Sequence, residues 1–467
     1  MSEKGRFDIA VLGGGPGGYS AALTAARLKA SVALVECEAI GGTCLNVGCI
    51  PTKALNKCAE VYQETVSGNM YGVRSDNIRF DFKKAMAYKR QAVSQLTGGV
   101  QYLLQENGVK VFKGKGTVIS NNTVRVTDIE GNNEEITADN IIIATGSKEI
   151  EIPGFPIDGS NVVSSTQALG FTELPDSLAI IGGGVIGVEF ASIFARMGTK
   201  VSIVELTPRL LPSEDQETAE TIRWALESKG IKIFTDCKAK GYERNETGSL
   251  ALKVERQDGS VDAIGCDKIL VCVGRKASIE GIGFIELGGL VNKGRIVTDS
   301  RLRTNLDRIY AVGDVNMSEQ LAHVAYQEAR TAVLNIMGKP CEIDYSAVPH
   351  CIYSSPEIGS VGLNEAEAFE KCGTAAVARF AFQGNGKAII EGQGDGYVKV
   401  MYDKKDGRIL GGSIIGPKAT ELVAQIALAV NNRLTISDIV KTIHAHPTLS
   451  EAVGEACLAA AGLNLHS

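Results

Sequence analysis

FDIAVLGGGPGGYSAALTAARLKASVALVE, residues 7 to 36, is the stretch that decides the fold of this 467-residue chain. It begins with an apolar run, passes through a glycine-rich turn into an amphipathic segment, and closes with a second apolar run that ends at Glu36. Residues 178 to 205, LAIIGGGVIGVEFASIFARMGTKVSIVE, repeat this order and close at Glu205. Each segment predicts strand, turn, helix and strand, so we expect an α/β fold with two Rossmann-like units.

The two turns share one glycine spacing, G-x-G-x-x-G, at Gly13, Gly15 and Gly18 in the first and at Gly182, Gly184 and Gly187 in the second. The first glycine permits a tight turn, the second lets the backbone approach a pyrophosphate, and the third lets the helix pack on the strand. An acidic residue follows each first glycine by 23 positions, from 13 to 36 and from 182 to 205. This interval is close to the roughly 20 typical of dinucleotide-binding folds, where the carboxylate binds a ribose. A single motif of this kind is often an ordinary turn, but the matched pair predicts two dinucleotide sites.

Two dinucleotide sites on one chain suggest two cofactors that exchange electrons. At the second site, the carboxylate of Glu205 would repel a 2′-phosphate, which favours NAD over NADP. The positive charge of Arg209, four residues further on, works against this preference for NAD. We interpret the second site as an NAD site.

The composition excludes several classes of partner. A net charge of -6 and a pI near 5.6 give no basic surface for nucleic acid or for an anionic membrane. The most apolar segment, residues 178 to 198, contains Glu189, Arg196 and several glycines, so it does not predict a membrane span. The N-terminus lacks the pattern of a signal peptide, and we expect a cytoplasmic protein.

A pair of cysteines lies in GGTCLNVGCIPTK, residues 41 to 53. The chain has 11 cysteines, an odd number scattered along its length, which is unlike a disulfide-stapled secreted protein. Zinc needs about four ligands, and no second Cys or His pair lies near Cys44, so no metal site is expected. The residues alone leave two interpretations open, a redox pair or two unrelated buried thiols. Cys266 and Cys272, in apolar runs, are expected to be inert core residues.

The spacing of Cys44 and Cys49 excludes a regular helix through both if they are to form a disulfide. On such a helix the two side chains would point about 140° apart, whereas a disulfide needs Cα atoms within about 7 Å. We therefore expect an irregular segment, for which Gly41, Gly42 and Gly48 supply conformational freedom. Pro51 can begin a regular helix just afterwards, and the positive potential at a helix start favours a thiolate.

Three more apolar runs end in glycine turns, at residues 138 to 147, 266 to 275 and 305 to 315. The third presents Asp314 at its tip, where it would either bind a cofactor hydroxyl or simply cap the turn. Beyond about residue 345, strands such as YVKVMYD alternate with apolar helices such as ATELVAQIALAVNN, without a further nucleotide motif. This change predicts a third, α+β domain.

Together with HAHPTLSE at residues 444 to 451, the repeat and the cysteine pair resemble the class I FAD-dependent pyridine nucleotide-disulfide oxidoreductases. Within that family the chain is most similar to the dihydrolipoamide dehydrogenase branch, over nearly its whole length. The resemblance implies that the first repeat binds FAD, the second binds NAD, and the C-terminal region forms a homodimer interface. The domains implied are 1–148 and 277–345 for FAD, 149–276 for NAD and 346–467 for dimerisation.

The resemblance also implies the roles of individual residues. Cys44 would be the thiol that exchanges with the substrate, and Cys49 the thiol next to the flavin. Lys53 would lie near the flavin and pair with Glu189. His446, contributed by the other subunit, would be the base, with Glu451 as its partner. His444 is left as a neighbouring group. The remaining cofactor contacts implied are Glu36, Gly116, Thr145, Gly146, Asp314 and Ala322 for FAD, and Glu205 and Gly274 for NAD.

The activity implied is oxidation of dihydrolipoamide by NAD+, with a lipoyl-bearing protein of a 2-oxo acid dehydrogenase complex or of the glycine cleavage system as partner.

Glutathione and trypanothione reductases carry arginines where this chain has Glu205, and mercuric reductases need a second C-terminal cysteine pair, where this tail has only Cys457. Soluble transhydrogenases lack the redox pair. A flavin redox sensor without turnover is a further alternative, but it would need no positioned base such as His446. The segment LAHVAYQEAR, residues 321 to 330, keeps the family's Leu-Ala-His and is otherwise unusual.

Overall fold

The computed structural model describes residues 6–244 and 249–465. The first segment folds as predicted, into β1 (Arg6–Leu12), α1 (Pro16–Arg27) and β2 (Val32–Glu36). The central residues of β1 and β2 are apolar and fully buried, as expected for strands of a parallel sheet that is covered on both faces. Pro16 occupies the first position of α1, where its fixed φ suits a helix start.

The chain then forms three helices and four strands: α2 (Gly42–Val47), α3 (Cys49–Ser67), α4 (Phe82–Glu106), β3 (Lys110–Lys113), β4 (Lys115–Ser120), β5 (Thr123–Thr127) and β6 (Asn133–Ile143). A short 3-10 helix, Gly68–Tyr71, follows α3. Strands β3, β2, β1 and β6 lie side by side and parallel, and the hairpin β4–β5 joins the first half of β6 in antiparallel fashion.

The second repeat lies within a further set of elements: β7 (Ser147–Glu149), β8 (Val162–Val163), α5 (Ser165–Ala168), β9 (Ser177–Ile181), α6 (Val185–Met197), β10 (Lys200–Val204), α7 (Gln216–Ser228), β11 (Lys232–Phe234), β12 (Lys238–Arg244), β13 (Leu250–Glu255), β14 (Val261–Cys266), β15 (Lys268–Val271) and β16 (Arg275–Ala277). A parallel sheet has the order β11-β10-β9-β15-β8. Strands β12, β13 and β14 form an antiparallel sheet beside it. Cys266 and Cys272 are buried, as predicted.

An antiparallel ribbon of β7 and β16 connects the two halves. The predicted boundaries at 148 and 276 fall inside these two strands, and the division of the chain at those positions stays a prediction. After the ribbon come β17 (Val291–Asn292), β18 (Arg295–Ile296), β19 (Ile309–Ala311), the 3-10 helix Gly313–Val315 and α8 (Ala322–Ile336). Strand β19 pairs with β6, so the parallel part of the first sheet has the order β3-β2-β1-β6-β19.

The C-terminal part is α+β, as predicted: β20 (His350–Ile352), β21 (Glu357–Gly362), α9 (Glu365–Lys371), β22 (Ala375–Ala381), α10 (Gly386–Ile390), β23 (Tyr397–Asp403), β24 (Ile409–Gly416), α11 (Ala419–Asn431), α12 (Ile436–Val440) and α13 (Glu451–Ala460). Its antiparallel sheet has the order β20-β21-β24-β23-β22. Strand β24 is buried along its whole length because both α11 and α7 contact it. In the two described ranges, no helix has the length and apolar character needed to cross a membrane.

Candidate active site

Both glycine turns have the geometry that the spacing predicts. Gly13 and Gly182 have φ values of 99° and 109°, a left-handed conformation that other residues rarely adopt. A Cβ on Gly18 would lie 1.7 Å from the carbonyl oxygen of Gly13, and one on Gly187 would lie 2.0 Å from that of Gly182. The third glycine is therefore required for the helix to pack against the turn.

The second glycine of each turn faces open space. A Cβ on Gly184 would meet nothing within 4 Å, and one on Gly15 would meet only the Cα of Gly42, at 3.8 Å. These gaps lie at the N-terminal ends of α6 and α1, where unpaired backbone N–H groups and the helix dipole favour an anion. Both turns can therefore accommodate the pyrophosphate of a dinucleotide.

The two predicted ribose carboxylates are held alike. The Glu36 carboxylate accepts from the backbone N–H groups of Gly14 and Glu38, each at 2.6 Å. Glu205 accepts from the N–H of Gly183 at 2.5 Å and from the N–H and hydroxyl of Thr207 at 2.7 Å. Each acid therefore lies against its glycine turn in a fixed position.

A cavity of about 630 Å³ opens beside Glu36. Its walls include the apolar side chains of Ile40, Leu104 and Val109. An apolar cleft next to a ribose-binding carboxylate suits an adenine ring. The first turn, Glu36 and this cavity together fit the adenosine diphosphate half of FAD.

The other predicted FAD contacts lie around the ends of β6 and β19. Asp314 accepts from the Ser147 hydroxyl at 2.5 Å, and the Thr145 hydroxyl donates to the carbonyl of Ser278 at 2.8 Å. Gly146 has a φ of 70°, and Ala322 is the first residue of α8.

Gly116 is explained by packing alone, because a Cβ at this position would lie 3.1 Å from the Leu12 side chain. Gly274, assigned to NAD, has a φ of 112° just after β15.

The turn that carries Asp314 depends on a buried carboxylate that sequence reasoning missed. Glu328 on α8 accepts from the Gly313 N–H at 2.5 Å and from the Tyr345 hydroxyl at 2.6 Å. Burial raises the pKa of Glu328, although these hydrogen bonds oppose the rise. The available sequence signal was an acidic residue in the segment LAHVAYQEAR, residues 321 to 330.

The cysteine pair lies across a break between two helices. Helix α2 ends at Val47, Gly48 has the non-helical angles φ −139° and ψ −111°, and α3 begins at Cys49. The irregularity predicted from the spacing is therefore present. The helix begins two residues earlier than expected, and Pro51 is its third residue, where a backbone N–H would have no intrahelical partner.

The two thiols differ in acidity. The Cys44 thiol donates a hydrogen bond to the Cys49 sulfur, and this bond holds the pKa of Cys49 below its ordinary value. Burial opposes the shift, and the Lys53 ammonium reinforces it. The same hydrogen bond and burial raise the pKa of Cys44. In the reduced pair, Cys49 is therefore the more acidic of the two thiols.

Lys53, one turn after Cys49 on α3, forms an ion pair with Glu189 on α6. The Lys53 Nζ lies 2.9 Å and 2.7 Å from the two carboxylate oxygens, and the Glu189 side chain is only 6% exposed. Glu189 also accepts from the backbone N–H of Tyr353 at 2.9 Å, and the Tyr353 ring centroid lies 4.6 Å from the Lys53 Nζ. The helix that begins at Cys49 is thereby fixed to the helix that begins at the second glycine turn.

Arg275 is a second residue that sequence reasoning did not assign to the site. It donates to the hydroxyl and to the carbonyl of Ser147, each at 2.8 Å, and reaches the Thr43 hydroxyl at 3.5 Å. Thr43 precedes Cys44, and Ser147 in turn donates to Asp314. Arg275 thus links the redox segment to the strand ends of both halves. Its position directly after Gly274 was the available signal.

Two tyrosines that the sequence analysis did not predict also lie at the site. The hydroxyls of Tyr19 on α1 and Tyr326 on α8 are 2.6 Å apart, although 307 residues separate them in the sequence. Tyr19 belongs to a side-chain cluster against which Cys44 packs. Tyr326 falls in the unusual part of LAHVAYQEAR, which was a signal that something differs here.

The predicted base and its partner lie together. The His446 Nδ1 is 2.9 Å from a carboxylate oxygen of Glu451, and the other oxygen of Glu451 accepts from the Thr448 N–H at 2.7 Å. Burial by itself would raise the pKa of Glu451, but these two contacts outweigh it and hold that pKa below its ordinary value. His444 instead packs over Gly454 and lies 2.9 Å from Gln425.

The His446 side chain is 79% exposed, so it points out of its own chain. In the part of the chain that the structure describes, no hydrogen bond joins it to Cys44 or Cys49. The exposed imidazole of His446 is therefore free to contact a group outside its own chain.

Comparison with known proteins shows the family of the chain. The pattern of the family described as "Pyridine nucleotide-disulphide oxidoreductase" matches residues 7–329, and that of the family's dimerisation domain matches residues 348–457. The chain belongs to the pyridine nucleotide-disulphide oxidoreductase family. The two halves of the fold, each with its own glycine turn, and the C-terminal α+β part are those of this family.

Among its relatives, a dihydrolipoyl dehydrogenase of Bacillus subtilis is 40% identical, with 98% of this chain and 99% of the relative covered. A dihydrolipoyl dehydrogenase of Geobacillus stearothermophilus is 39% identical over 98% of this chain and 96% of the relative. Among solved structures, LpdA of Mycobacterium tuberculosis has a TM-score of 0.90 at 26% identity, covering 97% of this chain and 99% of that chain. The flavoprotein disulfide reductase RclA of Escherichia coli, as a Cu(II) complex, has a TM-score of 0.87 at 29% identity with the same coverage.

Proposed function

We propose that the protein is an FAD-dependent dihydrolipoyl dehydrogenase that oxidises dihydrolipoamide with NAD+. The observation that carries this proposal is the cysteine pair at the break between α2 and α3, with Cys49 as the more acidic thiol, one helical turn before Lys53. Such a pair suits reversible exchange with a dithiol, because a low-pKa thiol is a good leaving group. The full-length similarity to dihydrolipoyl dehydrogenases supports the choice of substrate.

In this proposal the first turn, with Glu36, Thr145, Gly146, Asp314 and Ala322, holds FAD, and Lys53 lies near the flavin. The second turn, with Glu205 and Gly274, holds NAD. A flavin bound there would supply two-electron transfer between the reduced cysteine pair and NAD+. Both cofactors would be bound by backbone N–H groups of helix N-termini and by a fixed carboxylate.

The dithiol reaction follows from the residues of the chain. His446, oriented by Glu451, takes a proton from one substrate thiol. The resulting thiolate attacks the Cys44 sulfur of the oxidised pair, the Cys44–Cys49 bond breaks, and Cys49 leaves as the thiolate. The second substrate sulfur then attacks the first, the bond between the first sulfur and Cys44 breaks, and the proton of the second thiol passes to Cys44 as the cyclic disulfide is released. The substrate loses two electrons, and the cysteine pair gains them.

We also propose that the enzyme acts as a homodimer in which His446 serves the cysteine pair of the other subunit. The exposure of His446 supports this arrangement, as does the match to the family's dimerisation domain. A lipoyl-bearing protein of a 2-oxo acid dehydrogenase complex or of the glycine cleavage system would supply the dithiol. We place the enzyme in the cytoplasm.

A side-by-side assay tests this proposal. The FAD-loaded protein is given dihydrolipoamide with NAD+ or NADP+, and glutathione disulfide with NADH or NADPH. We expect rapid NADH formation from dihydrolipoamide and little activity in the other three reactions. Turnover of glutathione disulfide with NADPH would contradict the proposal and indicate a glutathione reductase-like enzyme. Reversible reduction of the cysteine pair without turnover of any substrate would indicate a redox sensor.

A further inference from the structure

Two phenols meet beside the redox pair. Besides the 2.6 Å contact between their hydroxyls, the rings of Tyr19 and Tyr326 have centroids 6.0 Å apart and planes inclined by 53°. A hydroxyl carries one proton, so only one of the two can donate to the other. The second proton remains available to a third group.

The pair lies between the core and the open edge of the site. Tyr19 is 9% exposed and packs in the cluster that Cys44 contacts, whereas Tyr326 is 38% exposed. The hydroxyl contact joins Tyr326 to Tyr19, and Tyr19 belongs to the cluster against which Cys44 packs. Tyr326 is one helical turn after Ala322, so the two residues share a face of α8. Through Tyr19, the exposed Tyr326 ring adjoins the cluster against which Cys44 packs.

Both phenols are neutral donors at physiological pH. Burial raises the pKa of Tyr19 and of Tyr326, and the negative charges of the two cysteines raise both further. A neutral phenol next to a site where thiolates form can donate a hydrogen bond to sulfur, and its ring offers a flat apolar surface for an alkyl chain. Dihydrolipoamide contains both features, a dithiol and an aliphatic chain.

We propose that Tyr326, held by Tyr19, is a specificity-determining residue for the dithiol substrate. Its ring packs against the aliphatic chain, and the free hydroxyl proton of the pair is donated to the substrate sulfur that attacks Cys44. This inference rests on the proposed function, since it deepens the assignment of dihydrolipoamide as the substrate. The exchange of bonds and electrons is the one described above, and Tyr326 adds no covalent step.

The test compares Tyr326→Phe and Tyr326→Ala with a matched control, Tyr242→Phe. Tyr242 lies on β12 in the second half of the fold, where its ring stacks on that of Phe155 with the centroids 6.0 Å apart. Each variant is purified as the FAD-loaded full chain. Its kcat and KM are measured with dihydrolipoamide at saturating NAD+. The oxidation of NADH by ferricyanide, which does not use the cysteine pair, is the second measurement.

We expect Tyr326→Phe to lower kcat/KM for dihydrolipoamide about tenfold, because a hydrogen bond to a charged sulfur is lost. Tyr326→Ala should lower it further, mainly through KM, because the apolar contact is lost as well. Ferricyanide reduction should stay at the wild-type rate in both variants, and Tyr242→Phe should match the wild type throughout. Wild-type kcat and KM in both Tyr326 variants would overturn the proposal. A parallel loss of ferricyanide activity would also overturn it, since that result indicates a structural role.

A wild-type enzyme that does not oxidise dihydrolipoamide would contradict the proposed function, not the role of Tyr326. The role is then decided by the rate at which dithiothreitol, a small dithiol, reduces the Cys44–Cys49 disulfide. A slower reduction in Tyr326→Phe than in Tyr242→Phe supports the contact between the hydroxyl and the incoming sulfur. Equal rates in the two variants overturn it.

Discussion

The Lys53 ammonium lies 2.7 Å from a carboxylate oxygen of Glu189, and this contact joins the two dinucleotide-binding halves at the redox site. Lys53 is four residues after Cys49 on α3, and Glu189 is near the start of α6, just after the second glycine turn. The positive charge that lowers the pKa of Cys49 is therefore held in place by the helix that begins at the proposed NAD site. The acidity of the thiol depends on contact between the two halves.

Replacement of Lys53 by Met should raise the pKa of Cys49, because the ammonium stabilises the thiolate. A thiol whose pKa is lowered is ionised above that pKa, so the variant should need a higher pH to form the thiolate. The measurement is the pH dependence of iodoacetamide labelling of Cys49 in the dithiothreitol-reduced protein. Lys57→Met, one turn further along α3, is the matched control and should keep the wild-type profile. Identical profiles for all three proteins would refute the role of Lys53.

Glu451→Gln should lower dihydrolipoamide turnover about a hundredfold, because the imidazole of His446 loses the carboxylate that orients it. His446→Gln should have at least the same effect, and the double variant should lose little more, since the two residues act as a unit. Ferricyanide reduction by NADH serves as the control and should not change in any of the three. A His446→Gln enzyme with more than half of the wild-type turnover would exclude His446 as the base.

Mixed dimers test whether His446 serves the other subunit. Cys44→Ser and His446→Gln chains are each inactive toward dihydrolipoamide, and random exchange of subunits produces dimers with one intact site. Turnover should then recover to about a quarter of the wild-type value, as the statistics of a two-fold dimer require. If base and cysteine pair belonged to one chain, no mixture of these variants would recover activity.

Glu205→Gln should weaken the preference for NAD over NADP. The amide can keep the contacts with Gly183 and Thr207 but removes the charge that repels a 2′-phosphate. We expect the ratio of kcat/KM values for NAD+ and NADP+ to fall about tenfold, which corresponds to about 1.4 kcal/mol. Glu36→Gln, the same change in the first turn, is the control and should alter FAD retention without changing this ratio. An unchanged ratio in Glu205→Gln would show that other groups select the nicotinamide.

Lys399→Met should destabilise the protein strongly. The Lys399 side chain is 1% exposed, and its Nζ lies 2.9 Å from Asp215 and 3.0 Å from Glu365. Its loss leaves the Asp215 carboxylate, which is only 7% exposed, without its cation, at a cost of about 3–5 kcal/mol. Urea denaturation followed by flavin fluorescence measures this cost. Lys371→Met, which removes a surface lysine from α9, should change it by less than about 0.5 kcal/mol. Equal midpoints for the two variants would contradict the importance of the buried network.

The local parts of this structure were predictable from the sequence. The order of strand, turn and helix around Gly13 and Gly182 depends on residues within about 30 positions of one another. The break at Gly48 followed from the angle between Cys44 and Cys49 on a helix. The start of α3 was placed two residues too late, because Pro51 is tolerated anywhere in the first turn of a helix, and a proline there does not mark its first residue.

Contacts between distant side chains were not predictable from the residues themselves. Arg275 and Thr43 are 232 positions apart, and Tyr19 and Tyr326 are 307 apart. Such pairs exist only because packing of the two halves brings α1, α2, α8 and β16 to one place, and no local pattern encodes that arrangement. The pairing of Lys53 with Glu189, 136 positions away, was indicated by the family resemblance alone.

The most direct test of the central claim is steady-state NADH formation from dihydrolipoamide by FAD-loaded Cys44→Ser and Cys49→Ser enzymes, compared with the wild type. If the cysteine pair carries electrons from the dithiol, both variants should bind FAD and oxidise NADH with ferricyanide, yet form NADH from dihydrolipoamide at less than about a thousandth of the wild-type rate. NADH formation at a rate near that of the wild type in either variant would contradict the account.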